Sequence, residues 1–152
     1  MKVFTTVLLF ALSFLLPACA SLTIENVEFG WPVESVLTVS DRNTVEERRY
    51  GVGFSVAPVA GEEFQDSTAL AGKTVRLLRS GEGFYYLTGA GFKHVYVFAP
   101  APRELRLKKS IEVSTTGLKE PALNQRPPYV ELVDGKTKKT LSSDDVVEGN
   151  TQ

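Results

Sequence analysis

The sequence has one cysteine, one histidine and one tryptophan among its 152 residues. A single cysteine cannot close a disulfide within the chain, so a folded domain must be held together by burial alone. One histidine without cysteine partners leaves the usual zinc ligand sets incomplete. The charge is also balanced, with 17 Lys and Arg against 18 Asp and Glu, which gives no reason to expect a nucleic-acid partner.

The one long apolar run lies at the start of the chain, from Val3 to Leu16, directly after Met1 and Lys2. Small residues follow it, and this order of positive, apolar and small residues is typical of a secretory signal peptide. The run is short for a bilayer span and is interrupted by hydroxyl residues. We therefore expect residues 1–18 to be a cleaved signal peptide.

The only cysteine, Cys19, ends this signal-like segment in the sequence Leu-Pro-Ala-Cys. These four residues resemble the lipobox of bacterial lipoproteins, although Pro17 replaces the usual small residue. The resemblance covers residues 1–19 and implies that the Cys19 thiol is diacylated, that the chain is cut before it, and that the new amine is acylated. The protein would then be anchored to membrane lipid through Cys19.

A second cleavage site overlaps the first, because Ala18, Cys19 and Ala20 also form an A-x-A pattern. Cleavage after Ala20 would start the mature chain at Ser21 and leave no cysteine in it. If the lipoprotein resemblance holds, the absence of Asp after the cysteine favours the outer membrane. In that case residues 19–26 form the lipidated N-terminus and tether.

Beyond the tether, short runs alternate between apolar and polar residues and are separated by glycine-rich or Asp-Gly turns. The clearest runs are Tyr50–Val56 and Leu105–Val113, and the second is interrupted only by Lys109. Shorter candidate strands include residues 23–29, Thr74–Arg79 and Thr137–Leu141. We predict a single all-β domain over residues 27–141, an antiparallel β-sandwich of immunoglobulin-like architecture or a small barrel of about eight strands. Residues 142–152 are predicted to be a polar tail that could hold a short helix, and residues 60–74 hold at most a helical turn or two.

No catalytic constellation is visible in the sequence. His94 lies within an apolar strand and is predicted to have a structural role or to lie at the surface. The pair Glu62-Glu63 is predicted to be solvated. The three Gly-x-Gly-Phe motifs do not continue as phosphate-binding loops. We therefore predict a protein that is not an enzyme and that holds neither cofactor nor metal.

Aromatic residues form the candidate binding surface, because amphipathic rings on a rigid sheet suit protein contacts or glycan stacking. Tyr85 and Tyr86 are adjacent and must point to opposite faces of a strand, so one of them is expected on an outer surface. The four candidates are Trp31, Tyr85, Tyr86 and Tyr129. The leading hypothesis is a lipid-anchored interaction or structural subunit that contacts other cell-envelope proteins. The alternative is a surface module that binds glycans or small ligands.

Overall fold

Residues 34–147 are described by the computed structural model, and within them the chain forms eleven β-strands and one short α-helix. The elements are β1 (Ser35–Thr38), β2 (Thr44–Glu47), β3 (Val52–Ser55), α1 (Ala57–Phe64), β4 (Thr74–Arg79), β5 (Tyr85–Gly89), β6 (His94–Ala101), β7 (Glu104–Glu112), β8 (Pro121–Arg126), β9 (Tyr129–Asp134), β10 (Thr137–Leu141) and β11 (Val146–Val147). No helix in this part of the chain is long and apolar enough to cross a bilayer.

All strand pairs are antiparallel. One sheet has five strands in the order β1-β4-β5-β6-β7, a second has four in the order β11-β10-β9-β8, and β2 and β3 form a separate hairpin. Buried residues of all three sheets contribute to one hydrophobic core. The prediction of an all-β fold with antiparallel sheets, consistent with a sandwich, is confirmed.

The central strand β5 is buried on both faces, and all five of its residues are inaccessible or nearly so. On one face the five-stranded sheet lies against the four-stranded sheet, where β4 contacts β8. On the other face the sheet is covered by the β2–β3 hairpin, whose Tyr50 ring contacts the Tyr85 ring edge-on at 5.8 Å. Helix α1 packs on the same face through Phe64, whose ring lies 5.7 Å from that of Phe92.

A β-bulge interrupts the pairing of β6 with β7. Val97 pairs with Lys109 while the next residue, Phe98, pairs with Leu107, so one extra residue lies on β7. The extra residue shifts the alternation of side chains between the two faces of β7. Leu107 therefore points to the face opposite to that of Ile111, which pairs with Val95. The prediction that the apolar residues of Leu105–Val113 all point one way is wrong. The interruption of the alternation at Lys109 indicated the position of the bulge.

Two other expectations change. The helix lies at Ala57–Phe64 rather than within residues 60–74, because Pro58 occupies its first turn and Gln65 ends it in a left-handed conformation. Residues 142–147 form a turn and strand β11 instead of a short helix, so the sheet extends beyond residue 141. The strand predicted at residues 23–29 lies outside the described residues.

Candidate binding cleft

An apolar cleft opens between the β2–β3 hairpin and the exposed end of β5, β6 and β7. It encloses about 670 Å³, a volume within the range of ligand and peptide sites. Tyr85 and Leu87 form its buried floor. Its walls are the partly or largely exposed side chains of Val52, Phe54, Phe98, Leu105 and Leu107.

The local sequence explains how the hairpin wall forms. Gly51 follows the turn at φ +61°, a left-handed conformation that glycine adopts without steric cost. Along β3, Val52 and Phe54 are half buried, whereas Gly53 and Ser55 are exposed. This period of two directs one row of apolar side chains into the cleft.

Strand β3 also has a free edge, because among the described residues it pairs only with β2. The Val56 N–H donates to the Asn43 carbonyl at 2.8 Å, and the ladder continues through the pair Val45 and Phe54. In an antiparallel ladder the intervening residues direct their N–H and C=O groups outward. The backbone of Gly53 and Ser55 is therefore available to an added strand beside the cleft.

The hairpin is held over the sheet by polar contacts at its turn. The Arg49 N–H donates to the Glu47 carboxylate at 2.8 Å, and the Arg49 guanidinium donates to the hydroxyl of Ser35 on β1. Burial alone would raise the pKa of Glu47, but hydrogen bonds from Ser35 and Arg49 outweigh it and hold the pKa below its usual value. The guanidinium of Arg79 lies 5.6 Å from the Tyr85 ring centroid and 6.0 Å from that of Tyr50.

A buried carboxylate fastens α1 to β6, the strand beside the cleft floor. The side chain of Glu63 is 1% exposed and accepts hydrogen bonds from the backbone N–H groups of Lys93 at 2.8 Å and His94 at 3.0 Å. The same carboxylate lies 2.9 Å from His94 Nδ1 and accepts from the Tyr96 hydroxyl at 3.1 Å. Burial and the neighbouring carboxylates, chiefly Glu63, raise the pKa of Tyr96 well above its usual value.

This arrangement corrects the prediction that Glu62 and Glu63 are both solvated, because Glu63 points inward while Glu62 stays exposed. Both carboxylate oxygens of Glu63 accept hydrogen bonds from the chain itself, as expected of a group with a structural role. His94 is partly exposed, at 28%, and is paired with Glu63. Within residues 34–147 no group of three or more His, Cys, Asp or Glu side chains is placed to hold a metal ion.

The tyrosines predicted to form a binding surface are dispersed. Tyr85 is 5% exposed and forms part of the cleft floor, whereas Tyr86 is 1% exposed on the opposite face, so the expectation that one of them lies on an outer surface is wrong. Burial, with smaller effects of nearby carboxylates, raises the pKa of Tyr86 to about 12. Tyr129 is 39% exposed at the start of β9, in the other sheet. Trp31 and Cys19 lie outside the described residues.

Sequence reasoning missed the cleft residues Phe98 and Leu107 as candidates. Their role depends on the bulge, which brings Leu107 opposite Phe98 and leaves its side chain 52% exposed. The sequence contained one signal for this arrangement: the alternation that includes Leu107 is interrupted two residues later, at Lys109.

A second, smaller groove of about 470 Å³ lies between the end of β7 and the strands β9 and β10. Its lining is more polar and includes the carboxylate of Asp134. That carboxylate already accepts hydrogen bonds from the N–H groups of Lys119, at 3.0 Å, and Glu120, at 2.7 Å. The apolar cleft is therefore the stronger candidate for a binding site.

Comparison with known proteins gives no relative: no protein-family model, no curated protein and no solved structure matches this chain.

Proposed function

We propose that this protein is a lipid-anchored, non-catalytic binding subunit of a cell-envelope assembly, and that it contacts an envelope protein through the apolar cleft. The observation that carries the proposal is the position of the cleft beside the free edge of β3. An extended polypeptide could bond to the backbone of that edge while placing alternate side chains in the cleft. A glycan or small apolar molecule has no comparable use for a strand edge.

The chemistry of the cleft lining favours binding over catalysis. The titratable residues of its described lining are Tyr85, Arg103 and Glu104. Arg103 lies in the β6–β7 turn and Glu104 begins β7. Both are exposed, and Glu104 is paired with Arg106. General acid–base catalysis needs a group placed against the reacting atoms, and this lining offers apolar contact instead.

The glycan-binding alternative has weaker support. Stacking of sugars needs accessible ring faces, and of the predicted tyrosines only Tyr129 is exposed in the described part of the chain. No specific observation therefore favours that alternative.

Substitution of Leu107 tests the cleft. In mild-detergent membrane extracts, tagged wild-type protein should recover a reproducible, near-stoichiometric set of envelope proteins, and Leu107→Arg should lose it. Val36→Arg is the matched control, because Val36 is also an aliphatic residue of an edge strand, is 54% exposed and lies on the opposite face of the sheet. Equal recovery with both variants would refute the role of the cleft.

The anchor is tested separately. The wild-type protein should incorporate labelled palmitate and sediment with membranes, and Cys19→Ser should abolish both. The mass of the mature protein distinguishes the two cleavage sites. A mature chain that begins at Ser21 without attached lipid would refute the proposed anchor.

A further inference from the structure

Positive charge borders the apolar cleft at two places. Arg103 belongs to the described lining of the cleft, and Arg79 is exposed with its guanidinium 5.6 Å from the centroid of the Tyr85 ring in the floor. Residues that pair directly across neighbouring strands point to the same face of a sheet, and Arg79 pairs with Tyr85, which pairs with Phe98. Arg79 therefore points to the side of the sheet on which the cleft opens.

Neither guanidinium is neutralised by the described part of the chain. Within residues 34–147, Arg79 and Arg103 form no ion pair with a carboxylate. The carboxylate of the described lining is that of Glu104, and its charge is balanced by Arg106. A partner that fills the apolar cleft therefore meets two arginines whose charge is still unbalanced.

The backbone of Arg103 indicates that its side chain has a use beyond forming the turn. Pro102 and Arg103 connect the paired residues Ala101 and Glu104, and Arg103 has φ +64°. Glycine adopts this left-handed conformation without steric cost, whereas a residue with a Cβ is strained there. Strained residues of this kind cluster at ligand-binding sites, and here the strained residue carries one of the two unbalanced charges.

The two arginines are far enough apart to hold both ends of one short segment. Two strand spacings separate β4 from β6, or about 10 Å at ~4.8 Å each. Arg103 lies beyond Phe98, the β6 residue in the row of Arg79, by a height of roughly four residues or about 14 Å. The two Cα atoms are therefore roughly 17 Å apart, a distance that an extended chain covers in about five residues.

We propose that the cleft selects an extended segment with apolar residues at alternate positions and acidic residues about five positions apart, one near Arg79 and one near Arg103. Its apolar side chains contact Phe54, Phe98 and Leu107, and its backbone bonds to the free edge of β3. The proposal rests on the proposed function and names the chemistry of the partner. An anionic lipid would also suit an apolar cleft with arginines, but it has no use for a strand edge.

Selection from a phage-displayed library of random peptides tests this chemistry. The bait is the full chain as the cell produces it, purified in mild detergent through a C-terminal tag. Peptides selected by the wild type should combine alternating apolar residues with Asp or Glu at about twice their frequency in the library. Leu107→Arg should select none of them. The proposal is overturned if the selected peptides are no more acidic than the library, or if no peptide is selected.

The most strongly selected peptide, labelled with fluorescein, measures the contribution of each arginine by fluorescence anisotropy. Arg79→Gln and Arg103→Gly should each weaken its binding about two- to fivefold, the effect of an exposed ion pair. Replacement of the acidic residues of the peptide by their amides should remove the difference between these variants and the wild type. Arg126→Gln is the matched control, because Arg126 is an exposed arginine of β8 in the other sheet.

Arg103→Gly also separates binding from folding. Its thermal unfolding should occur at a temperature no lower than that of the wild type, since glycine relieves the left-handed residue. A folded Arg103→Gly that binds the acidic peptide as tightly as the wild type would refute the role of Arg103.

The membrane pull-down distinguishes this proposal from the proposed function. If Leu107→Arg loses the envelope proteins but the selected peptides are not acidic, the acidic preference fails and the proposed function stands. If the peptides are acidic and depend on both arginines but Leu107→Arg keeps full recovery, the proposed function fails and the peptide preference stands. Binding of sodium laurate that Leu107→Arg abolishes, with no peptide selected, would assign the cleft to a lipid and overturn the proposal.

Discussion

Replacement of Glu63 by alanine should destabilise this protein more than most single substitutions. The side chain is 1% exposed and accepts hydrogen bonds from two backbone N–H groups and the Tyr96 hydroxyl, besides its contact with His94 Nδ1. Water can replace the carboxylate at Lys93, which lies at the surface, but not at the Tyr96 hydroxyl, whose residue is fully buried.

The magnitude follows from the number of donors that lose their acceptor. A buried donor without a partner costs about 1–3 kcal/mol. The Tyr96 hydroxyl and the His94 N–H would both lose their acceptor, so the free energy of unfolding should fall by roughly 3 kcal/mol. Glu63→Gln keeps one oxygen but turns an NH₂ group toward a donor, so its loss should be smaller, about 2 kcal/mol.

Urea unfolding followed by circular dichroism measures these changes. Glu62→Gln is the matched control, because Glu62 is the exposed neighbour on the same helix and should change stability by less than about 0.5 kcal/mol. A double-mutant cycle that combines Glu63→Ala with Tyr96→Phe should give a coupling energy of about 1 kcal/mol between the two side chains. The reasoning would be refuted if Glu63→Ala and Glu62→Gln destabilised the protein equally, or if the coupling were zero.

Three further predictions concern pH and backbone geometry. Because Tyr86 has a pKa of about 12 in the fold and about 10 when unfolded, its neutral form contributes stability below pH ~10. That contribution, roughly 3 kcal/mol, is lost as the pH rises through 12. The free energy of unfolding of Tyr86→Phe should therefore fall less at alkaline pH than that of the wild type. An alkaline loss equal to that of the wild type would contradict the assignment. The lowered pKa of Glu47 acts at the other end, since its contribution is present above the ordinary value of 4.5 and is lost as the pH falls below it. In Glu47→Gln the free energy of unfolding should therefore fall less steeply at acid pH than in the wild type. An equal fall in both proteins would contradict the contribution of Glu47. Gly117→Ala should destabilise by more than about 1 kcal/mol, because φ is +94° and a Cβ would lie 2.8 Å from the Gly91 carbonyl oxygen. Gly61→Ala meets nothing within 4 Å in the interior of α1 and should stabilise by about 0.5–1 kcal/mol, and thermal unfolding that ranks the two variants in the opposite order would refute this.

The regular strands were predictable because alternation is a property of neighbouring residues. Thr74–Arg79 and Thr137–Leu141 have the same bounds in the structure as in the sequence prediction. The strands Thr44–Glu47 and Pro121–Arg126 escaped prediction, since they are rich in polar residues and exist through pairing with β3 and β9.

The candidate site was less predictable than the strands. Alternation requires Tyr85 and Tyr86 to point to opposite faces, and they do. It carries no information on what covers each face, and here the β2–β3 hairpin covers one and the second sheet the other. Glu63 looked solvated for the same reason, because its four contacts come from residues 30 to 33 positions away.

Local sequence alone decided the class of fold, because the period of two and the turn residues between the strands act over only a few positions. Tertiary structure decided the binding geometry: the bulge that exposes Leu107, the layer that buries Tyr85, and the cleft between them. The physical reason is that a strand has two faces and two edges, and only the assembled sheets determine which of them remain open.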